Sequence, residues 1–181
     1  MKVIGQRENI KLLTLLAQAR APVLFIGPPG YGKSHLAVAY MHLCKATYRI
    51  FYGPNLTPFR LAEWLRAPNH GAVIDEIHKL DSPEAFYWLL DRRTGPKWLC
   101  PVAGTTTDEG LLPGPMLTRF FSIHIQPYSL AELEAIAADA GAQGAAAKIA
   151  AGLSRGSPRR AIYLASLLAM TDHGQQDPVK T

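Results

Sequence analysis

The sequence has little cysteine, no long apolar run and a modest share of charge. Its 181 residues include only two cysteines, Cys44 and Cys100, so a disulfide framework is not the basis of its stability. No stretch approaches the roughly 18 uninterrupted apolar residues of a membrane span, and the N-terminus lacks the apolar segment of a secretion signal. These absences favour a reducing compartment, and we expect a cytoplasmic protein that has no contact with a membrane.

The composition is that of a chain able to fold. Hydrophobic residues make up 48% of the sequence and charged residues 18%, which supplies a core and excludes global disorder. A chain of 181 residues holds one ordinary domain, or one core with a small appendage, and this excludes a large multidomain machine. The net charge of +5 is compatible with a polyanionic partner but does not require one.

Short apolar runs alternate with segments of helical periodicity in the first two thirds of the chain. We predict strands at residues 23–26, 48–51, 72–74, 98–103 and 121–125. We predict helices over residues 6–20, 36–43 and 59–65, and a further one capped by Ser82 with Pro83 at its first position. Such alternation predicts an α/β fold with a five-stranded parallel sheet that is covered on both faces.

The character of the chain changes after Pro127. Ser129 and Glu132 have the spacing of a capping box, an Ala-rich stretch follows, and Ser157-Pro158 begins another helical pattern. We therefore expect an α/β core over residues 1–126 and a small all-helical domain over 127–175. The polar residues 176–181 are expected to form a disordered tail.

A glycine-rich sequence lies between the first predicted strand and the next helix. It reads Gly27-Pro28-Pro29-Gly30-Tyr31-Gly32-Lys33-Ser34 and fits the pattern of a phosphate-binding loop. Glycines let successive backbone N–H groups surround a triphosphate, and the following helix directs the positive end of its dipole towards the same anion. An ordinary Gly/Pro turn is the alternative, and the strand and helix on either side argue against it.

This loop predicts ATP and Mg²⁺ as cofactors. Lys33 would reach the β- and γ-phosphates, and the Ser34 hydroxyl would be a ligand of Mg²⁺. We include the next residue, His35, in the nucleotide-binding set together with the loop residues Pro28, Pro29, Gly30, Tyr31 and Gly32.

Two acids stand at the end of a buried apolar strand. Asp75 suits the Mg²⁺ shell, and Glu76 suits polarising the water that attacks the γ-phosphate. A strand end with solvated acids is the alternative, and the presence of Lys33 and Ser34 weighs against it. His78, three residues after Asp75, is expected to have a supporting or structural role.

Further motifs follow one another in a characteristic order. They are Ile4-Gly5-Gln6, Tyr52-Gly53-Pro54, Ile74-Asp75-Glu76-Ile77-His78-Lys79-Leu80, Gly104-Thr105-Thr106-Thr107, Gly110-Leu111-Leu112, Pro115-Met116-Leu117-Thr118-Arg119-Phe120 and Gly156-Ser157-Pro158-Arg159. With the phosphate loop, this series resembles the AAA+ ATPases, and among them the RuvB family of bacterial Holliday-junction branch-migration motors. The resemblance covers nearly the whole chain and implies a P-loop core followed by a helical lid.

The resemblance implies roles for further residues. Thr106 matches the sensor-1 residue that contacts the γ-phosphate or the attacking water, and its alternative is a β-branched strand residue. Arg119 matches the arginine finger that reaches the ATP of a neighbouring subunit, and its alternative is a surface arginine. Arg159, beside Pro158, matches the sensor-2 arginine of the lid. Ile4 and Gly5 match the positions at which family members line the adenine pocket.

The resemblance also implies partners. An arginine supplied in trans implies a ring homo-oligomer, a hexamer by family likeness, and the substrate to be moved is DNA, branched or replicating. Departures are expected too: residues 81–98 are too few to hold both a helix and the RuvA-contacting hairpin, and the chain stops after the lid without a winged-helix domain. Leu117 replaces an arginine common in that motif. The alternatives are a helicase loader or protein remodeller, with a protein partner in recombination or replication, and an ATP-dependent assembly switch with little turnover.

Overall fold

Residues 2–91 and 100–173 are described by a computed structural model of the chain. They form two units. The first consists of Arg7–Pro29 and Lys33–Ile125, and the second of Lys2–Gln6, Gly30–Gly32 and the residues from Gln126 onward. The predicted tail over residues 176–181 lies outside the described residues.

The first unit is built on a parallel sheet of five strands. The strands are β1 (Val23–Ile26), β2 (Thr47–Tyr52), β3 (His70–Asp75), β4 (Val102–Thr106) and β5 (Phe121–His124). Their order across the sheet is β2-β3-β4-β1-β5, so that β1 lies between β4 and β5. The predicted α/β fold with five parallel strands is thereby confirmed.

The central strand explains why these apolar runs become strands. All four residues of β1 are buried, as expected for a parallel strand covered on both faces. In register, Val23 pairs with Ala103 of β4 on one side and with Phe121 of β5 on the other. At its other end, Ile26 pairs with Thr106 and with His124, so the loop that follows β1 starts from a fixed point.

Five α-helices belong to the described part of the first unit. They are α1 (Arg7–Gln18), α2 (Lys33–Leu43), α3 (Pro58–Leu65), α4 (Tyr87–Leu90) and α5 (Gly114–Leu117). Helix α3 begins at Pro58 after Thr57, whose side chain accepts a hydrogen bond from the Arg60 N–H. On one side of the sheet, Leu24, Ile74 and Leu61 share a buried cluster with residues of the connecting segments.

Two predicted elements differ from the structure. Ser82 was expected to cap a helix, but its side chain makes no capping hydrogen bond, and the chain forms a 3₁₀ turn over Pro83–Phe86 before the single turn of α4. The predicted strand over residues 98–103 is also displaced, because β4 begins only at Val102. Pro101 has no N–H for the ladder, so regular pairing starts after it. Residues 98 and 99 lie outside the described residues.

The second unit contains three helices in its described part. They are α6 (Leu130–Asp139), α7 (Ala145–Leu153) and α8 (Pro158–His173). The predicted capping box is confirmed, because the Ser129 side chain accepts from the Glu132 N–H while the Glu132 carboxylate accepts from the Ser129 N–H. Buried alanines make up one packed cluster of this unit, and small side chains of this kind let helices approach closely. Within residues 2–91 and 100–173, no helix has the length and apolar character to cross a bilayer.

Candidate functional site

The glycine-rich loop begins directly after β1 and ends where α2 begins. Lys33, the first residue of α2, is 7% exposed, and its ammonium donates to the carbonyl oxygens of Gly27 at 2.7 Å and Pro28 at 3.0 Å. Gly30 and Gly32 have φ of +81° and +84°, a region that other residues seldom adopt. The glycines are therefore required by the path of the loop, as expected for a backbone that must turn around an anion.

The carboxylate of Asp75 ties together two hydroxyls at the carboxyl edge of the sheet. Ser34 Oγ, in the first turn of α2, donates to Asp75 Oδ1 at 2.8 Å. Thr105 Oγ1, near the end of β4, donates to the same oxygen at 2.6 Å. Because β3 and β4 are parallel neighbours, Asp75 and Thr105 emerge at the same edge. Thr105 was not among the predicted site residues, although the run of three threonines was a visible signal.

The Ser34–Asp75 pair has the chemistry of a magnesium site. A hydroxyl and a carboxylate are hard oxygen donors, and Mg²⁺ in nucleotide sites usually takes one or two protein oxygens, with phosphate oxygens and water completing the octahedron. No cluster of three or more His, Cys, Asp or Glu side chains suited to a metal occurs within the described residues. A metal held here would therefore depend on the nucleotide for part of its shell.

Glu76 follows β3 in a strained and crowded backbone position. Its φ of +55° and ψ of +48° are left-handed, and its N–H donates to Thr105 Oγ1 at 3.1 Å. A Cβ added at Gly53 would lie 2.4 Å from the Glu76 carbonyl oxygen, so only glycine fits opposite it. A left-handed non-glycine residue costs of the order of 1–3 kcal/mol and is found where the surroundings fix it.

The Glu76 carboxylate has two basic neighbours. Lys79 Nζ lies 3.0 Å from Glu76 Oε2, and His78 Nε2 lies 3.5 Å from the same oxygen. The hydrogen bond that Lys79 donates to Glu76, together with the negative charge of the carboxylate, raises the pKa of Lys79. The Glu76 side chain is 25% exposed, so the carboxylate remains open to solvent water.

Thr106 is fully buried and its hydroxyl is engaged within the chain. Thr106 Oγ1 donates to the Asp108 carbonyl oxygen at 2.8 Å and lies 3.0 Å from His78 Nδ1. To donate to a γ-phosphate, as predicted, the Thr106 hydroxyl would have to turn its proton away from the Asp108 carbonyl oxygen. Thr107, the residue directly after β4, is half-buried.

Arg119 lies at the opposite end of the sheet from the loop. It stands two residues before β5, and Phe121 donates to the Pro22 carbonyl oxygen at 2.9 Å, beside the start of β1 rather than its end. The guanidinium lies 4.7 Å over the Tyr87 ring and 4.0 Å from the Asp91 carboxylate, and it donates to the Pro115 carbonyl oxygen. Within the described residues, its buried Nε has no hydrogen-bond partner.

The remaining predicted site residues are divided between the two units. In the second unit, the Arg159 N–H donates to the Gly30 carbonyl oxygen at 3.2 Å, and the Arg159 side chain is exposed. A Cβ at Gly5, with φ of +75°, would lie 2.8 Å from Glu132 Oε1. Ile4 is half-buried and Pro158 buried in this unit, while in the first unit Pro28, Pro29 and His35 are exposed.

Tyr31 belongs to the second unit and contacts the segment that precedes α6. The Tyr128 hydroxyl donates to the Tyr31 carbonyl oxygen at 3.3 Å, and the two rings meet edge to face with centroids 6.3 Å apart. Burial raises the pKa of the Tyr128 phenol. Residues 30 and 31 thus accept hydrogen bonds at their carbonyl oxygens, from the Arg159 N–H and from the Tyr128 hydroxyl.

Comparison with known proteins places the chain among ATPases. The family model described as "ATPase family associated with various cellular activities (AAA)" matches residues 23–128, which is more than half of the chain. This range contains all five strands and the glycine-rich loop.

Curated relatives carry a more specific name. The Holliday junction branch migration complex subunit RuvB of Pseudarthrobacter chlorophenolicus is 34% identical over 190 residues, which is 86% of this chain and 53% of the relative. The protein of the same name from Streptomyces griseus is 34% identical over 206 residues, with 95% and 56% covered. The chain therefore spans about half the length of the curated relatives it matches.

Solved structures agree with this likeness. The Thermotoga maritima RuvB Holliday junction branch migration motor matches with a TM-score of 0.81 and 31% identity, over 98% of this chain and 66% of that one. The FIGL-1 AAA domain, solved in complex with ADP, matches with a TM-score of 0.75 at 22% identity, which shows a common fold alone. These matches confirm the family resemblance that the ordered motifs indicated.

Proposed function

The chain belongs to the AAA family of ATPases, and on that premise we propose that it is a RuvB-like motor. It would hydrolyse ATP at the boundaries between subunits of a ring and use the energy to remodel DNA. Its substrate would be a branched intermediate of recombination or replication, the kind of DNA named for its curated relatives.

The observation that carries this proposal is the link from Ser34 to Asp75. The hydroxyl and the carboxylate lie 2.8 Å apart, one residue after Lys33 and one residue before Glu76. In this arrangement Ser34 and Asp75 would hold Mg²⁺, which supplies positive charge to the β- and γ-phosphate oxygens. Lys33 would exchange its contacts with the Gly27 and Pro28 carbonyls for phosphate oxygens, since an ammonium binds an anion more strongly than a neutral carbonyl.

Glu76 is the proposed general base. Its carboxylate is exposed enough to bind a water molecule, and its backbone is fixed by Thr105 and by the close approach of Gly53. It would accept a proton from the water that attacks the γ-phosphate. Sensor roles for Thr106 and Arg159, and an adenine contact for Ile4 and Gly5, remain part of the proposal on the strength of the family resemblance.

The position of Arg119 supports a role in a neighbouring subunit. The residue stands near the start of β1, whereas the loop follows the end of β1, about 13 Å further along the strand. An arginine so far from its own phosphate loop can complete the site of another copy when subunits meet head to tail. The ring and its size are part of the proposal, and hexamers are the size implied by family likeness.

The test is ATP turnover measured across protein concentrations, with a four-way DNA junction, with linear duplex and without DNA. A DNA motor predicts turnover per subunit that rises with concentration and rises further with the junction. Turnover insensitive to both DNAs would favour a loader or protein remodeller. Nucleotide binding with negligible turnover in every condition would favour an assembly switch.

Lys33→Ala supplies the control for the nucleotide site. We expect it to abolish binding or hydrolysis of ATP, because the ammonium that would contact the phosphates is lost. Tight ATP binding and full turnover by this variant would contradict the assignment of the loop.

A further inference from the structure

His78 occupies a position between the proposed base and the end of β4. It lies in the 3₁₀ turn over Ile77–Lys79, and its side chain is 10% exposed. Nδ1 lies 3.0 Å from Thr106 Oγ1, and Nε2 lies 3.5 Å from Glu76 Oε2. Both ring nitrogens therefore face polar partners, which is more than packing alone requires.

Thr106 Oγ1 is fixed by the backbone of Asp108. It donates to the Asp108 carbonyl oxygen at 2.8 Å and accepts from the Asp108 N–H at 3.3 Å. The hydroxyl is therefore a fixed partner for His78 Nδ1, which lies 3.0 Å from it. The ring is thereby oriented from β4, and Nε2 is the nitrogen directed at Glu76.

The two basic neighbours of Glu76 differ in how firmly they are held. Lys79 is 48% exposed at its side chain and moves on a flexible stem, whereas His78 is nearly buried and fixed through Thr106. Both contacts fall on Oε2, so Oε1 is the oxygen that can face an attacking water. A fixed neighbour at Oε2 limits rotation of the carboxylate about its last bond.

We propose that His78 is a positioning residue, which holds the Glu76 carboxylate in a fixed place relative to the end of β4. This inference rests on the proposed function, because it assigns His78 a role through the general base. His78 would act on the chemical step. Of the residues proposed to contact the nucleotide, it touches Thr106, and a variant that retains this contact should leave nucleotide binding unchanged.

Two near-isosteric variants separate the two contacts. In His78→Asn the side-chain amide nitrogen can take the place of Nδ1, which retains the contact with Thr106 and loses the one with Glu76. In His78→Gln the amide nitrogen can take the place of Nε2, which retains the contact with Glu76. We expect His78→Asn to lower kcat about tenfold with KM for ATP within about twofold of wild type, and His78→Gln to recover most of the activity.

A double-mutant cycle with Glu76→Gln adds a readout that a purely structural role would not change. If His78 acts only through Glu76, His78→Asn should have no further effect on the residual turnover of Glu76→Gln. His42→Asn, a substitution of an exposed histidine on α2, is the matched control and should retain full turnover. Thermal unfolding of each variant reports whether the fold is intact.

The outcomes are distinct. Full activity of His78→Asn beside an active wild type would overturn the positioning role and leave the ATPase proposal in place. Parallel loss of stability and of ATP binding in both His78 variants would show a structural role and would also overturn it. A wild-type chain without turnover in any condition would remove the proposed function and this inference together.

Discussion

At the residue scale, the end of β3 is governed by one close approach between backbones. There is no room for a Cβ at residue 53 opposite the Glu76 carbonyl oxygen, so the position of the proposed base requires a glycine there. We expect Gly53→Ala to lower the free energy of unfolding by roughly 1–3 kcal/mol, because the contact of 2.4 Å must be relieved by a backbone shift. ATP turnover should fall more than ATP binding, since the shift displaces Glu76 first.

Gly152→Ala is the matched control for this substitution. A Cβ at Gly152 meets nothing within 4 Å, and the residue lies in α7. Alanine there should stabilise the helix by up to about 1 kcal/mol. The unfolding temperature should therefore fall in Gly53→Ala and rise in Gly152→Ala, and turnover should fall only in Gly53→Ala. Equal losses in both variants would contradict the steric argument.

The two thiols give a second prediction at this scale. Burial raises the pKa of the Cys44 thiol, and burial likewise raises that of Cys100. A raised pKa means less thiolate near neutral pH, and the thiolate is the reactive form. We expect alkylation by iodoacetamide, followed by mass spectrometry, to be several-fold slower in the native protein than in guanidinium chloride. Rapid native labelling of Cys44, the more buried of the two, would contradict this.

Sequence spacing predicted some neighbours in the site and missed others for a physical reason. The motif from Gly27 to Ser34 fixes a strand, a loop and a helix start, so the approach of Ser34 to Asp75 could be anticipated from it. Thr105 and His78 meet Asp75 and Thr106 only because β3 and β4 pair side by side. No interval in the sequence encodes that pairing. The catalytic roles of these residues stay predictions.

At the element scale, the local signals were correct at some limits and wrong at others: the limits of β1 and the start of α6 agree with the structure, whereas the cap at Ser82 and the start of β4 do not. The capping box before α6 depends on contacts three residues apart and was read correctly from Ser129 and Glu132. Ser82 failed as a cap because its turn is 3₁₀ and bonds through the backbone, with the Ala85 N–H donating to the Ser82 carbonyl oxygen at 3.2 Å. The limits of β4 depend on its neighbours in the sheet, and periodicity does not report them.

The capping box leads to a prediction for α6. We expect Ser129→Ala to lower the free energy of unfolding by about 1 kcal/mol, because it removes the acceptor for the Glu132 N–H. Ser166→Ala within α8 is the control: its hydroxyl only bonds back to the Ile162 carbonyl oxygen at 3.1 Å, and alanine is the better helix former. Urea unfolding followed by circular dichroism would measure both. Equal destabilisation by the two substitutions would contradict a specific capping role.

At the scale of the whole molecule, the separation of Arg119 from the phosphate loop permits a complementation test. Glu76→Gln subunits would keep a competent Arg119, and Arg119→Ala subunits would keep a competent Glu76. Each variant alone should bind ATP with nearly wild-type affinity and show almost no turnover. A 1:1 mixture should regain about a quarter of wild-type turnover, because random neighbours pair a competent base with a competent arginine at that frequency.

The control pairs Lys33→Ala subunits with Glu76→Gln subunits, because both residues belong to the part of the site that one subunit supplies. Their 1:1 mixture should remain inactive, since neither subunit offers a complete loop and base. Turnover in the Arg119→Ala protein alone, at the wild-type level, would exclude the trans role of the arginine.

Arg119 and the glycine-rich loop stand at opposite ends of one parallel sheet, and this geometry has a consequence for polymerisation. A subunit that offers an arginine at one end and needs one at the other is a monomer with a head and a tail. Nothing in such a contact limits growth, so the angle between successive subunits alone decides between a closed circle and an open filament. In an open assembly the terminal loop lacks a donor, and turnover per subunit would rise with filament length towards that of the closed form. Electron microscopy beside turnover would therefore distinguish closure from continued growth.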